Sequence, residues 1–144
     1  MESWHPLVVH FPLVLLPLSA GLDLCALVWK KPQWQGLSYG LLWLGTASSG
    51  AALLSGNAAA VPHRLDPQVA PLVSAHEDLA SWATVLFLGL ALSRLPLQLQ
   101  DCLRGGRFAL WLVAAGAGCV LLWMAGYTGG EMVYRHGVGV KIIP

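Results

Sequence analysis

Histidine titrates nearest neutral pH and is the commonest protein ligand for metals. This chain carries His5, His10, His63, His76 and His136 in a sequence otherwise poor in polar groups. His5 and His10 stand in Trp4-His5-Pro6-Leu7-Val8-Val9-His10-Phe11-Pro12, at the mouth of a long apolar run, where imidazoles are costly unless something binds them. His76 is followed by Glu77 and Asp78, and His136 follows Glu131 and Tyr134 in a glycine-rich stretch. Imidazoles with a carboxylate in reach suit axial ligation of haem iron or binding of zinc, copper or non-haem iron.

What positions these groups is a membrane fold. Hydrophobic residues make up 56% of the 144 and charged residues 10%, with a mean hydropathy of +0.64, against roughly 25% charged in soluble domains. The net charge of +1 supplies no basic field for nucleic acid. Cys25, Cys102 and Cys119 are scattered outside any C-x-x-C spacing, so neither a disulfide framework nor covalent c-type haem is expected. Glu2 in place of a basic start, and the length of the first apolar run, argue for a retained helix over a signal peptide.

Four segments are long and apolar enough to span a bilayer: about 7–29, 37–56, 72–95 and 108–127. The expected architecture is an all-α, up-down-up-down transmembrane four-helix bundle with a short Gly-rich C-terminal tail, 128–144, and no repeat beyond the two helical hairpins. Pro12 and Pro17 interrupt the first span, and small residues such as Gly45 and Ala114 give the second and fourth surfaces for close packing. Residues 57–71, with Pro62, Pro67 and Pro71, read as a loop, which makes His63 a solvated loop residue. Trp29, Trp34, Trp111, Trp123 and Tyr127 read as interfacial belts. Asp23 is the one charge deep in a span, and near its end it can snorkel or pair with Lys30 or Lys31.

This topology gathers every histidine, with Glu77, Asp78 and Glu131, at one end. Lys30, Lys31, Arg94, Arg104 and Arg107 fall in the turns at the other, against Arg64, Arg135 and Lys141, which places the termini and the histidines outside. His10 and His76 lie at similar depth about one turn inside their helices, the arrangement two axial imidazoles need. His5 and His10, five apart, point away from each other on a helix. His5 and His136 are then alternative ligands or orienting partners. Glu131 completes a carboxylate–imidazole set if the ligand is a bare ion. Asp78 more simply complements the positive start of its helix.

The motifs around His5 and His10, the histidine opening the third span, and Gly129-Gly130-Glu131-Met132-Val133-Tyr134-Arg135-His136-Gly137-Val138-Gly139-Val140 together resemble the DUF2231 family of small bacterial four-span membrane proteins, over essentially the whole chain. The resemblance implies a fold similar to four-helix cytochromes b, a bacterial inner membrane, and redox work, since some members also carry cytochrome c-like or Rieske-like domains. The recurrent positions map to His5, His10, His76, Glu131, Tyr134 and His136. The crowding of histidines at one face argues for one haem, not two stacked across the bilayer.

The expectation is therefore a cytochrome b-like electron carrier or electron-transfer subunit rather than a stand-alone enzyme, holding haem b near the outer face and exchanging electrons with quinol or an extracytoplasmic carrier. The alternatives are an outward-facing site for zinc, copper or non-haem iron, and a structural subunit of a larger membrane complex or homo-oligomer. No broken helix pair suggests a transporter, and no nucleophile elbow surrounds Ser19, Ser74 or Ser81.

Overall fold

The computed structural model describes residues 4–99 and 105–140; Asp101, Cys102, Arg104 and Lys141, which entered the reading of cysteines, turns and orientation, lie outside them. The elements are α1 (His5–Val8), α2 (His10–Val28), α3 (Trp34–Ala60), a 3-10 turn (Val61–His63), α4 (Ala70–Leu99) and α5 (Gly105–His136). Among the described residues, four helical stretches are long and apolar enough to cross a membrane: His5–Val28, Trp34–His63, Ala70–Pro96 and Gly105–His136. The lipid bilayer is thus this protein's solvent.

Local chemistry explains the boundaries. Pro6 takes the first turn of α1, where a missing N–H leaves nothing unsatisfied. Pro12 cannot donate to the carbonyl four residues back, and α1 gives way to α2 at Val9. At the far end of α2, Lys30 adopts φ 54°, and Lys31 N–H reaches back to Ala26 O at 3.0 Å, a left-handed helix cap before Pro32.

The last helix departs from expectation. α5 runs past Tyr127 and through Gly129, Gly130, Glu131 and Tyr134 to His136. The cap is Gly137 at φ 63°, with Val138 N–H on Met132 O and Gly137 N–H on Val133 O. Glycines that read as punctuation are therefore intrahelical. Residues 61–69 alone carry the turn between α3 and α4, and α4 continues through Pro96.

In the bundle α2 packs on α3, α3 on α4, α4 on α5, and α5 closes the ring against α2. α2 and α4 are the diagonal pair, running in the same direction. One core, including Leu16, Leu42, Phe87, Trp111, Ala115 and Leu122, fills the interior. Close approach needs glycine: a Cβ on Gly45 would meet Leu16 Cδ2 at 2.7 Å, and one on Gly118 would meet Phe87 Cε2 at 2.8 Å. Ser19 and Ser38 tie α2 to α3 by exchanging hydroxyl-to-carbonyl bonds of 2.8 and 3.0 Å, the polar contact by which apolar helices register in lipid.

These contacts repeat. Asp23 and Arg94 are separated by 71 residues, as are His5 and His76, and Leu16 and Phe87. Gly45 and Gly118 stand as far apart as Gly56 and Gly129, and as His63 and His136. The two hairpins, α1–α2–α3 and α4–α5, are parallel repeats about an axis along the bundle.

Candidate functional site

The N-terminal ends of α1, α2 and α4 and the C-terminal ends of α3 and α5 enclose a cavity of about 430 Å³. His5, His10, His63 and His76 line it, with Tyr134 and Glu77, in a mainly apolar wall. His5 and His76 come closest: their ring centroids are 6.3 Å apart, with the planes at 87°.

Each of these imidazoles is held through Nδ1 by the second helix of its own hairpin, His5 by a hydroxyl and His76 by a hydroxyl and a carbonyl. His5 Nδ1 lies 3.1 Å from Ser55 Oγ, and Ser55 Oγ donates to Ala52 O at 3.0 Å. His76 Nδ1 lies 2.8 Å from Ala125 O and 3.2 Å from Thr128 Oγ1, and Thr128 Oγ1 donates to Ala125 O at 3.0 Å. A carbonyl only accepts, and each hydroxyl has already spent its proton on a carbonyl. Both rings therefore carry their proton on Nδ1, and both Nε2 atoms keep a lone pair. Among the described residues no hydrogen bond engages either Nε2. Ligating histidines are commonly oriented in this way, through the nitrogen that does not bind.

The rings are also seated on glycine. A Cβ at Gly56 would lie 2.8 Å from His5 Cε1, and one at Gly129 would lie 3.1 Å from His76 Cε1. This is why α5 needs glycine within a helix, at a cost of about 1 kcal/mol relative to alanine. The signal was in the sequence as Ser55-Gly56 and Thr128-Gly129, each closing its hairpin opposite a histidine.

The other candidates are placed differently. His10 lines the cavity, but it is exposed and its Nδ1 turns to Pro6 O within its own segment. His63 is half-buried in the wall, more enclosed than a solvated loop residue. His136 is exposed at the end of α5, and Glu131 pairs with Arg135 at 2.6 Å; neither is among the residues lining the cavity. Glu77 accepts from Arg64 at 2.7 Å. Among the described residues, no group of three or more His, Cys, Asp or Glu side chains is placed to hold a metal ion.

The family model described as a predicted membrane protein, DUF2231, matches residues 2–142. The chain belongs to the DUF2231 family. No curated protein and no solved structure matches it. For this DUF2231 protein the chemistry must therefore be argued from its own side chains.

Asp23 is one such group. It is neither snorkelling nor paired with a lysine: it is fully buried and bonded to the fully buried Arg94. Arg94 binds both carboxylate oxygens, Arg94 Nη2 reaching Asp23 Oδ1 at 2.8 Å. The guanidinium also donates to Ser38 Oγ and Gln35 O, and it lies 5.6 Å from the Tyr39 ring and 4.9 Å from that of Trp111. Arg94 is thus an interior residue of α4, removed from the turn where it counted towards orientation, and Trp111 is core rather than belt.

Proposed function

We propose that this DUF2231 protein is a cytochrome b-like electron carrier or electron-transfer subunit, its haem held between His5 and His76 in the cavity at the histidine end. The observation that carries the reading is the pair of imidazoles held through Nδ1 by the second helix of each hairpin, with no hydrogen bond on either Nε2 among the described residues and both rings lining one mainly apolar cavity. His5 takes the place first expected of His10, because His5 is the repeat equivalent of His76.

The donor set favours iron porphyrin over a bare ion. Structural zinc sites use a closed set of protein ligands, whereas an iron porphyrin supplies its own equatorial nitrogens and asks the protein for axial donors only. Two oriented imidazoles in a mostly apolar pocket meet that demand, and bound haem would supply one-electron chemistry. The protein's own part is to fix both rings by Ser55, Ala125 and Thr128, to admit them against Gly56 and Gly129, and to exclude water with Val73, Leu122 and Met132.

We place the protein in a bacterial inner membrane with the histidine end outward, where quinol or an extracytoplasmic carrier would meet it. Lys30, Lys31 and Arg107 at the opposite end support that orientation.

The test is a reduced-minus-oxidised visible spectrum with elemental analysis on detergent-purified, haem-supplied protein. Haem bands are expected in wild type and in His10→Ala, and lost in His5→Ala and in His76→Ala. A folded wild type without haem overturns the reading; stoichiometric zinc, copper or non-haem iron in its place would make this a metal-binding protein, and neither group would leave a structural subunit.

A further inference from the structure

We propose that Asp23 and Arg94 are the pairing lock of the duplicated fold: they make the N-terminal hairpin accept the C-terminal hairpin in this register, and refuse a second copy of itself. This inference stands apart from the haem reading.

Because the hairpins are repeats, the structure offers its own competitor. Each hairpin packs internally by the same device, a large side chain against a glycine, Leu16 on Gly45 and Phe87 on Gly118. Each brings a histidine and an apolar α2-type or α4-type face to the shared axis. Two N-terminal hairpins from different chains could therefore meet much as the two halves of one chain do, and so could two C-terminal hairpins. Along the diagonal the residues at Leu16 and Phe87 are apolar, and those at His5 and His76 are alike. None of these positions discriminates self from partner.

Asp23 and Arg94 do. Like pairing would set Asp23 against Asp23, or Arg94 against Arg94, in a fully buried layer. Buried like charges, each left without its counter-ion, are a strongly disfavoured arrangement. Only the unlike pairing gives the two-point guanidinium–carboxylate contact, and its surroundings are asymmetric to match. Ser38 Oγ and Gln35 O of α3 take further guanidinium protons, while the aromatic faces of Tyr39 and Trp111 flank the cation. Asp23 and Arg94 lie as far along their helices from His5 and His76 as each other, on the order of 27 Å at 1.5 Å per residue. The lock thus fixes the parallel register at one end that brings the imidazoles to the same level at the other.

The experiment uses the full chain in detergent, read by light scattering after gel filtration and by thermal midpoint. Arg94→Asp is expected to lose most of the wild-type species, because every pairing of hairpins then buries two carboxylates, and the swap Asp23→Arg with Arg94→Asp to recover it. In a neutral series, Asp23→Asn and Arg94→Gln should each lower the midpoint more than the two together do. The double variant, stripped of its discriminating charges, should show a species heavier than wild type. If the swap fails because Ser38, Tyr39 and Trp111 are shaped for arginine, the neutral double decides. A heavier species from it supports the lock. A double variant of wild-type mass overturns it, as does Arg94→Asp that keeps the wild-type mass and midpoint.

Discussion

At one end of the α2–α4 diagonal, His5 and His76 sit at repeat-equivalent positions with like chemistry and a cavity beside them. At the other, Asp23 and Arg94 sit at repeat-equivalent positions with opposite chemistry and are completely buried against each other. The same two membrane spans, His5–Val28 and Ala70–Pro96, present both layers, so the span alone does not account for the difference. Opposite charges satisfy one another and close the bundle. Two imidazoles whose protons are both directed away, to Ser55 and to Ala125, have nothing to offer each other and remain ready for a third body. A symmetric pair makes a site, and a complementary pair makes a joint.

Substitution at the joint should cost the most. Arg94→Gln leaves a buried carboxylate with no counter-charge, and breaking one partner of such a pair destabilises by about 3–5 kcal/mol. A shift of that size in a reversible denaturation series in mixed micelles, or outright loss of folded protein, is the expected result. An equivalent change at the site, His76→Ala, should move stability far less, because Ala125 O retains the Thr128 hydroxyl as a donor. Near-equal losses from the two substitutions would show that the ends are energetically alike and that the distinction between site and joint is false.

Smaller effects separate the glycines of the core from those of the site. Gly118→Ala and Gly45→Ala place a methyl against Phe87 and Leu16, both wholly enclosed, and overpacking of this kind costs about 1–3 kcal/mol. Gly129→Ala meets only the edge of the His76 ring, which borders open space and can give by a few tenths of an ångström. Its stability should stay near wild type, while the haem absorbance retained after dialysis falls. If Gly129→Ala unfolds the protein as readily as Gly118→Ala, the cavity end is packed as tightly as the core.

These distinctions explain what could be read in advance. The spans were legible because length and apolar composition suffice to define them, and the histidine cluster was legible because polar groups are scarce in such a chain. That His5, not His10, stands nearest His76 was not, since it depends on where α1 breaks at Val9 and on which ring Ser55 can reach. Nor was the extent of α5: Gly129 and Gly130 carry the same letters whether they end a helix or admit a neighbour, and only the position of His76 decides. The buried pair escaped for a related reason. Asp23 was visible, but Arg94 read as part of a turn, because Pro96 suggested a helix end that α4 passes through. The repeat was hidden by the very complementarity that makes it useful, with Asp matched to Arg and Leu to Phe, and by an interval that differs between the first and second helices of the hairpins.

The finest test asks whether the hydroxyls beneath the imidazoles serve the fold or the ligand. Ser55→Ala and Thr128→Ala each remove two hydrogen bonds at a half-buried position, one with the ring and one to a carbonyl, each worth about 0.5–1.5 kcal/mol, so both variants should fold with a modest drop in midpoint. Their effect on the site should be larger. Without Ser55, His5 loses the hydroxyl acceptor that fixes its proton on Nδ1, and the ring can turn or shift tautomer. His76 keeps Ala125 O when Thr128 is lost, so its ring stays oriented. Loss of an orienting partner typically weakens a metal–histidine centre by about 10–100-fold. Haem titration should therefore show a clear loss for Ser55→Ala and a slight one for Thr128→Ala. Equal losses would mean that the two hydroxyls support their rings alike and that the Ala125 carbonyl adds nothing. No loss from either would remove the fixed tautomer, and with it the main support for a ligand between His5 and His76.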